Sequence, residues 1–195
     1  MILGVVNGRR RLKFDAQFVV DASDATGNYT PTINGGVTVS AGQAHFNNAS
    51  TDYINYAGTE LRMQGNVEFE IRFKVTAKGG VHHLMTTLTQ ANALSGPYIF
   101  VNDSLGVVAF YITGGVVLSS ATVPIGVFTT VKCVIKRGEG IALIYVDGVL
   151  QTTAELVNPA NLLNIQRKVH LGTQSPSSGA QPLFGDIEYL KITEF

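Results

Sequence analysis

Two glutamates on one predicted strand, Glu68 and Glu70, have the spacing in this chain that comes nearest to a catalytic pair. Retaining glycoside hydrolysis needs two carboxyl groups about 5–5.5 Å apart, which two-residue spacing on a strand roughly supplies. No third carboxylate follows, because the next positions hold Arg72 and Phe73. Arg72 and Lys74 share the face of the glutamates and are expected to pair with them and keep both ionised. We therefore interpret this segment as a solvated, charged strand face and predict that the protein is not an enzyme.

The adjacent histidines His82 and His83 are the next candidates, as metal ligands. Neighbouring residues on a strand point to opposite faces, so the two rings are not expected to reach one ion. The sequence contains neither a nucleophile-elbow motif nor a phosphate-binding loop motif. We predict no organic cofactor.

Glycan binding requires aromatic faces for sugar C–H surfaces and amides or carboxylates for hydroxyl groups. The chain has 7 Tyr and 10 Phe but no Trp, which argues against a deep sugar platform. Two tyrosines stand beside glycine or proline in segments expected to form loops. With their polar neighbours they make the predicted glycan-binding set: Asn28, Tyr29, Tyr98, Asn102 and Asp103.

Short strands and dense turn residues dominate the rest of the chain. Residues 66–75 alternate apolar and charged side chains, as a strand with one buried face does. Gly114-Gly115 and Asp147-Gly148 suit two-residue hairpin turns. Residues 59–64 and 160–166 are the best helix candidates, and residues 21–35 and 173–182 are expected to be irregular. About a dozen strands with regular turns predict an all-β antiparallel β-sandwich. The expected core residues are Val67, Phe69, Ile71, Phe73, Val131, Cys133, Ile135 and Ile187.

Composition limits the function classes. The chain has 195 residues, 14 basic and 14 acidic side chains, 14% charged residues and 45% hydrophobic residues. Such a chain is not disordered, and it lacks the excess of basic residues on which nucleic-acid binders depend. No apolar run is long enough for a membrane span, and no cleavable signal peptide is recognised. The single cysteine, Cys133, excludes an internal disulfide framework and is expected to be buried. The charge-poor surface suits a multi-copy assembly or homo-oligomer.

The N-terminal residues differ in composition from the rest of the chain. Residues 1–6 are apolar, and three arginines stand at positions 9–11. We predict an arm over residues 1–11 that packs on its own sandwich or docks on a neighbouring subunit, followed by one domain over residues 12–195.

Six short motifs resemble, in order, those of the concanavalin A-like, laminin-G-like jelly-roll family. They are residues 45–54 (HFNNASTDYI), 66–75 (NVEFEIRFKV), 127–132 (VFTTVK), 144–149 (IYVDGV), 170–172 (HLG) and 184–192 (FGDIEYLKI). Phe128 stands where the family usually has Trp. The resemblance implies a concanavalin A-like jelly roll of two antiparallel sheets, and it places Tyr53 and Tyr145 in or beside the core. Relatives often hold calcium in loops through Asp, Asn and backbone oxygens, which are ligands that this ion prefers. On that basis the candidate metal ligands are Asn47, Asn48 and Asp52.

Members of this family include lectins, glycan-binding modules, glycoside hydrolases, adhesion modules and phage virion proteins, so the fold alone does not give the function. We expect a non-enzymatic structural or recognition protein of a bacteriophage virion, made in the host cytoplasm, that decorates the capsid or tail and contacts host-surface glycans. Its partners would then be other virion subunits and glycans, without nucleic acid or membrane insertion. The alternative is an extracellular carbohydrate-binding module or lectin of cellular origin, and a glycoside hydrolase with an unrecognised acid pair is a further alternative.

Overall fold

The computed structural model describes residues 10–58, 63–76, 80–88, 94–102, 106–112, 115–156, 168–174 and 181–195. These residues form fifteen β-strands and one short 3-10 helix, Arg137–Glu139. The strands make two sheets in which every pairing is antiparallel. Within the described part of the chain, no helix has the length and apolar character needed to cross a bilayer.

The eight-stranded sheet has the order β13-β12-β11-β6-β15-β4-β3, and β1 also pairs with β15. Its strands are β1 (Arg11–Ala16), β3 (Thr38–Ser40), β4 (Gln43–Asn47), β6 (Val67–Val75), β11 (Thr129–Lys136), β12 (Ile141–Val146), β13 (Val149–Glu155) and β15 (Phe184–Glu194). The seven-stranded sheet has the order β10-β9-β8-β7-β14-β5-β2. Its strands are β2 (Tyr29–Asn34), β5 (Tyr53–Gly58), β7 (Val81–Leu88), β8 (Leu94–Asn102), β9 (Val107–Ile112), β10 (Gly115–Thr122) and β14 (Lys168–Leu171). The predicted all-β antiparallel sandwich is confirmed.

Strand β6 shows why the sequence folds in this way. Its nine residues alternate strictly between buried and half-buried, with the apolar side chains inward. The strand lies between β11 and β15, so its backbone is hydrogen-bonded on both sides. All eight predicted core residues are fully buried. Each large apolar side chain removed from water in this way contributes about 1.5–3 kcal/mol.

Aromatic side chains fill the space between the two sheets. Phe69 of the eight-stranded sheet meets Phe110 of the seven-stranded sheet, with ring centroids 5.8 Å apart. Phe14 meets Tyr56 edge to face at 4.7 Å. Cys133 is buried in the same core, and its burial raises the pKa of the thiol. A thiol that resists ionisation is a packing residue rather than a nucleophile.

The turns and ends agree only in part with expectation. Asp147 and Gly148 both have positive φ and join β12 to β13 as predicted. Residues 21–35 are not irregular throughout, since β2 occupies their second half and pairs with β5. Arg11 is the first residue of β1 and pairs with Glu194. Residues 1–9 lie outside the described residues, so the arm over residues 1–11 stays a prediction. Gly114, the helix candidate 160–166 and most of the candidate 59–64 lie outside the described residues.

Candidate functional site

Two predicted glycan-binding residues, Asn28 and Tyr29, lie where the chain enters β2. Tyr29 is the first residue of that strand rather than a loop residue, and its side chain is only 7% exposed. Its ring packs edge to face on Phe14 at 5.4 Å. Burial, with a contribution from the charge of Asp24, raises the pKa of Tyr29 to about 12. The expectation that Tyr29 lies in a loop is therefore wrong, because Tyr29 begins β2 and its ring packs into the core. Asn28 is exposed, and its side-chain amide donates to the Thr26 hydroxyl at 3.0 Å.

The carboxylate of Asp24 organises the loop in front of these residues. Its Oδ1 accepts hydrogen bonds from the backbone N–H groups of Asp15 (2.8 Å) and Thr26 (3.2 Å). Its Oδ2 accepts from the N–H groups of Asn28 (3.1 Å) and Tyr29 (3.2 Å), and from the Thr26 hydroxyl. Asp24 is nearly buried, so these donors replace the water that the carboxylate loses.

A row of aromatic side chains lies on the outer face of the seven-stranded sheet. We call Tyr98, Phe100 and Tyr111 the aromatic patch. Tyr98 stacks on Tyr111 with centroids 4.5 Å apart and planes 22° apart, and it lies 5.7 Å from Phe100. All three rings are half-buried, whereas Ile99 and Val101, between and beside them in sequence, are buried in the core. The patch therefore presents partly exposed aromatic rings, two of which are stacked with nearly parallel planes.

Only part of the predicted glycan set is brought together. Asn102 shares the outward face of β8 with Tyr98, since the two are four residues apart on one strand. Asp103 lies outside the described residues. Strand β2, which carries Tyr29, is four strand positions from β8, or about 19 Å across the sheet. Glycan binding by the set as a whole stays a prediction, and the geometry groups Tyr98 with Asn102 and separates both from Asn28.

Two buried histidines lie beside the aromatic patch. His83 is paired in register with Phe100, and His170 faces Thr86, which in turn faces Tyr98. Their side chains are 1% and 2% exposed. Burial lowers the pKa of each to about 4, so both are neutral at pH 7.

The hydrogen bonding of these histidines is incomplete. The Nε2–H of His83 donates to the side-chain oxygen of Gln181 at 2.7 Å. The other nitrogen of His83 and both nitrogens of His170 have no hydrogen-bond partner among the described residues. A buried polar group left without a partner costs about 1–3 kcal/mol, so these nitrogens favour any polar group that can reach them.

The candidate calcium ligands lie at one corner of the sandwich. Asp52, 1% exposed, accepts hydrogen bonds from the backbone N–H groups of Gly36 (2.7 Å) and Asn47 (3.2 Å). The Asn47 side chain donates to the Gly36 carbonyl at 3.2 Å, and Asn48 has a positive φ. The described residues contain no group of three or more Asp, Glu, His or Cys side chains arranged for a metal. Asp52 thus links the segments at Gly36 and Asn47 through hydrogen bonds. Calcium binding at this corner stays a prediction.

A groove of about 620 Å³ lies on the outer face of the eight-stranded sheet, where the sequence predicted only a solvated strand face. We call it the β11 groove. Its lining comes from β6, β11 and the β12–β13 hairpin: Glu68, Glu70, Thr130, Lys132, Val134, Tyr145, Asp147 and Gly148. Its volume falls within the range of sites that hold small organic ligands.

The ion pairs of this face differ from the expected ones. Lys132 lies 3.0 Å from Glu70 and 3.6 Å from Glu68. Burial alone would lower the pKa of Lys132, but its hydrogen bond to Glu70 and the charges of both glutamates outweigh burial and leave that pKa raised. Arg72 and Lys74 do not pair with these glutamates. They pair with Glu188 and Asp186 of β15, because β15 is their neighbour in register.

The adjacent histidines His82 and His83 point apart, as expected from their positions on a strand. The Nδ1 atom of His82 lies 3.2 Å from the Pro182 carbonyl oxygen, and His83 bonds to Gln181. Both partners belong to the segment that leads into β15. The contacts place the two rings in separate hydrogen-bonding environments rather than around one ion.

No protein-family model and no curated protein matches the chain. Solved structures do resemble it. The ligand-binding domain of botulinum neurotoxin serotype D, solved in complex with N-acetylneuraminic acid, has a TM-score of 0.71 at 12% identity over 92% of this chain. The binding domain of botulinum neurotoxin DC in complex with rat synaptotagmin II has a TM-score of 0.69 at 12% identity over 93% of this chain. The chain spans about half of these structures, 46% and 47%. At such identities the likeness is one of fold.

Sequence reasoning selected Tyr98 but missed its neighbours Phe100 and Tyr111 in the aromatic patch, and it missed the β11 groove, for the same reason. Period-two alternation shows which residues point outward, but not which outward residues of distant strands become neighbours. The β11 groove brings residues 68–70 next to residues 145–148. The aromatic patch forms because β8 pairs with β9 so that Tyr98 lies opposite Tyr111. The outward alternation of Tyr98 and Phe100 on one strand was the available signal for the patch.

Proposed function

We propose that this chain is a non-enzymatic recognition module that binds cell-surface glycans through the outer face of the seven-stranded sheet. The observation that carries the proposal is the aromatic patch, in which Tyr98 and Tyr111 stack with nearly parallel planes and each ring is partly exposed. Such rings offer an apolar platform for the C–H face of a sugar, and their hydroxyl groups remain able to bond at its edge.

Polar groups beside the patch support the same function. Asn102 lies on the outward face of the same strand, and amides match sugar hydroxyls as both donor and acceptor. His83 adds a neutral ring 5.4 Å from Tyr98. A few polar groups around an aromatic floor are what a binding site needs in order to orient a polar ligand.

The solved structures of similar fold lend further support. One of them holds N-acetylneuraminic acid, and another comes from a neurotoxin whose cell entry depends on interaction with two ganglioside molecules. The TM-score of the second is 0.69 over 93% of this chain. Because this chain matches only 46% and 47% of these two structures, the sugar and ganglioside interactions belong to the larger neighbouring domains, and the residues of this chain must supply their own binding surface.

A glycan array with graded variants tests the proposal. The wild-type chain is expected to bind a subset of glycans, and Tyr98→Ala or Tyr111→Ala is expected to weaken that binding at least tenfold. Phe128→Ala is the matched control, because Phe128 is a half-buried aromatic residue on the other sheet, under Lys74. An array that stays blank with and without calcium, or binding that survives both tyrosine variants, would contradict the proposal.

We also propose, as the context of this activity, that the chain is a multi-copy virion component, most simply of a bacteriophage. The balanced charge of 14 basic and 14 acidic residues and the apolar residues 1–6 support assembly, since an apolar arm is costly to leave in water. A cellular carbohydrate-binding module or lectin is the alternative.

Light scattering on the full chain and on a chain lacking residues 1–9 tests the assembly. The full chain is expected to associate and the shortened chain to be monomeric, and two clean monomers would contradict the arm's role.

The proposal that no hydrolysis occurs is supported by the position of Lys132. Its ammonium contacts both Glu68 and Glu70, and so occupies the space where a hydrolase would hold the glycosidic bond between two carboxyl groups. We expect no release of reducing sugar from β-glucan or galactan. Hydrolysis by the wild type that is lost in Glu68→Gln would overturn this expectation.

A further inference from the structure

The β11 groove is a cavity that the aromatic patch does not use, and it lies on the opposite sheet. It follows β11 from Val134, which faces Glu68 in register, to Thr130, which bonds to Asp147. Four residues of strand separate these ends, or about 13 Å. Lys132 stands in the middle, between Glu70 on one neighbouring strand and Tyr145 on the other.

The lining combines an apolar floor with an excess of carboxylates. Tyr145 and Val134 supply ring and methyl surface, and Lys132 is the one basic residue in the lining against Glu68, Glu70 and Asp147. Arg72, whose charge is paired with Glu188, reaches the lining through a hydrogen bond to the Thr130 hydroxyl at 3.3 Å. Arg10, 65% exposed, approaches the rim at 3.6 Å from Glu68.

Two of these carboxylates retain capacity for a ligand. Glu68 has a side chain only 12% exposed, and its two cationic partners, Arg10 and Lys132, both stay 3.6 Å away, beyond the usual length of a charged hydrogen bond. Asp147 uses Oδ1 to accept the backbone N–H of Thr130 at 2.8 Å. Because neither cation of Glu68 comes within ordinary hydrogen-bond distance, its carboxylate favours a ligand group that carries a positive charge and donates a closer hydrogen bond.

We propose that the β11 groove is a second ligand site, one that binds short oligosaccharides of amino sugars in their free-amine form. The ammonium groups of such a ligand pair with Glu68 at one end and Asp147 at the other. Its hydroxyl groups bond to Glu70, Lys132 and Thr130, and a sugar ring lies on Tyr145. The excess of carboxylates disfavours sugars that carry an acid, because like charges close together repel.

This site shares no residue with the aromatic patch, so each assignment can fail without the other. Variants of Tyr98 are expected to leave the groove's ligand affinity unchanged. Variants of the groove are expected to leave the array profile of the patch unchanged.

Titration calorimetry on the full chain tests the proposal. The probes are the glucosamine trisaccharide, its fully N-acetylated counterpart and sialyllactose, in low salt near pH 6, where sugar amines are protonated. The free-amine trisaccharide is expected to bind at least tenfold more tightly than the N-acetylated one, and sialyllactose is expected not to bind in the groove. Raised salt is expected to weaken the binding.

Two groove variants and one matched control locate the binding. Glu68→Gln and Asp147→Asn are each expected to lower affinity for the free-amine trisaccharide about tenfold, which corresponds to ~1.4 kcal/mol. Asn keeps the turn acceptor and tolerates the positive φ of residue 147, so that variant preserves the hairpin. Asp186→Asn removes a carboxylate of the same sheet that does not line the groove and whose partners, Lys74 and His45, do not line it either, and is expected to bind like the wild type. Absence of binding by the free-amine sugar, equal binding of the acidic sugar that is lost in the groove variants, or full affinity in both groove variants overturns the proposal.

Discussion

At the scale of single residues, buried polar side chains carry much of the local order. Asp24 and Asp52 each collect backbone N–H groups from segments that are distant in sequence. The family resemblance marked Asp52 as a candidate calcium ligand, because a carboxylate in an Asn- and Asp-rich loop suits either a metal or a turn. Only the partners distinguish the two, and those partners depend on how the loops meet. For the same reason the burial of Tyr29 could not be foreseen from its neighbours.

The hydrogen bonds of Asp24 lead to a stability prediction. Asp24→Asn presents an N–H₂ group to the donors that now face Oδ2, so at least one buried donor loses its acceptor. We expect a loss of about 2–3 kcal/mol in the free energy of unfolding, measured by chemical denaturation. Asp21→Asn is the control, since the exposed Asp21 accepts only from Ser23, two residues further along, and should leave the stability close to that of the wild type. Equal losses in the two variants would contradict the role of Asp24 in this loop.

The buried histidines lead to a prediction of pH dependence. The folded-state pKa of His83 and of His170 is about 4, against an ordinary value of 6.5. Burial is the main cause in both, with smaller like-charge contributions from His82 and Lys168. Between these values the unfolded chain binds more protons than the folded one, so stability rises with pH across this window and falls on acidification. Unfolding curves measured at several pH values between about 6.5 and 4 should show this slope.

The double variant His83→Gln, His170→Gln tests the assignment of that slope. It removes both titrating groups, so its stability should depend less on pH than that of the wild type over the same window. An unchanged slope in the double variant would mean that other groups cause the acid sensitivity.

At the scale of elements, strict alternation made β6 predictable, and turn chemistry made the Asp147-Gly148 hairpin predictable. Strand β2 was missed because Pro31 and mixed polar residues give it no alternation, and it forms as an edge strand through its pairing with β5. The sequence also gives no sign of how closely elements approach one another. Gly172, just after β14, shows this, since a Cβ there would lie 2.3 Å from the ring of Phe46.

Gly172 supports a prediction about that close approach. Gly172→Ala combines a positive φ of 87° with a clash against Phe46, whereas Gly140→Ala has a φ of 67° and open space around it. We expect Gly140→Ala to lower the free energy of unfolding by about 1 kcal/mol, through backbone strain alone. Gly172→Ala should cost at least about 1 kcal/mol more, because a buried ring must shift. Equal thermal and chemical stability of the two variants would show that the clash is absent.

At the scale of the whole molecule, the two sheets present different chemistry to solvent. The seven-stranded sheet shows aromatic rings with buried neutral histidines beside them, and the eight-stranded sheet shows alternating ion pairs around a groove. The sequence predicted the sandwich, because the alternation of apolar and polar residues within a strand shows which of its faces is buried. It could not place the aromatic patch or the β11 groove, because both depend on the order of strands within each sheet, and that order is set by pairing between residues far apart in the sequence.

The most direct test of glycan binding at the aromatic patch is an NMR titration of the ¹⁵N-labelled full chain with the glycan that binds best on the array. We predict saturable amide shifts concentrated in β8 and β9, around Tyr98, Phe100, Asn102 and Tyr111, which disappear in Tyr98→Ala. Shifts confined to the Asn28 loop or to the Asp52 corner, or the absence of saturable shifts, would contradict glycan binding at this patch.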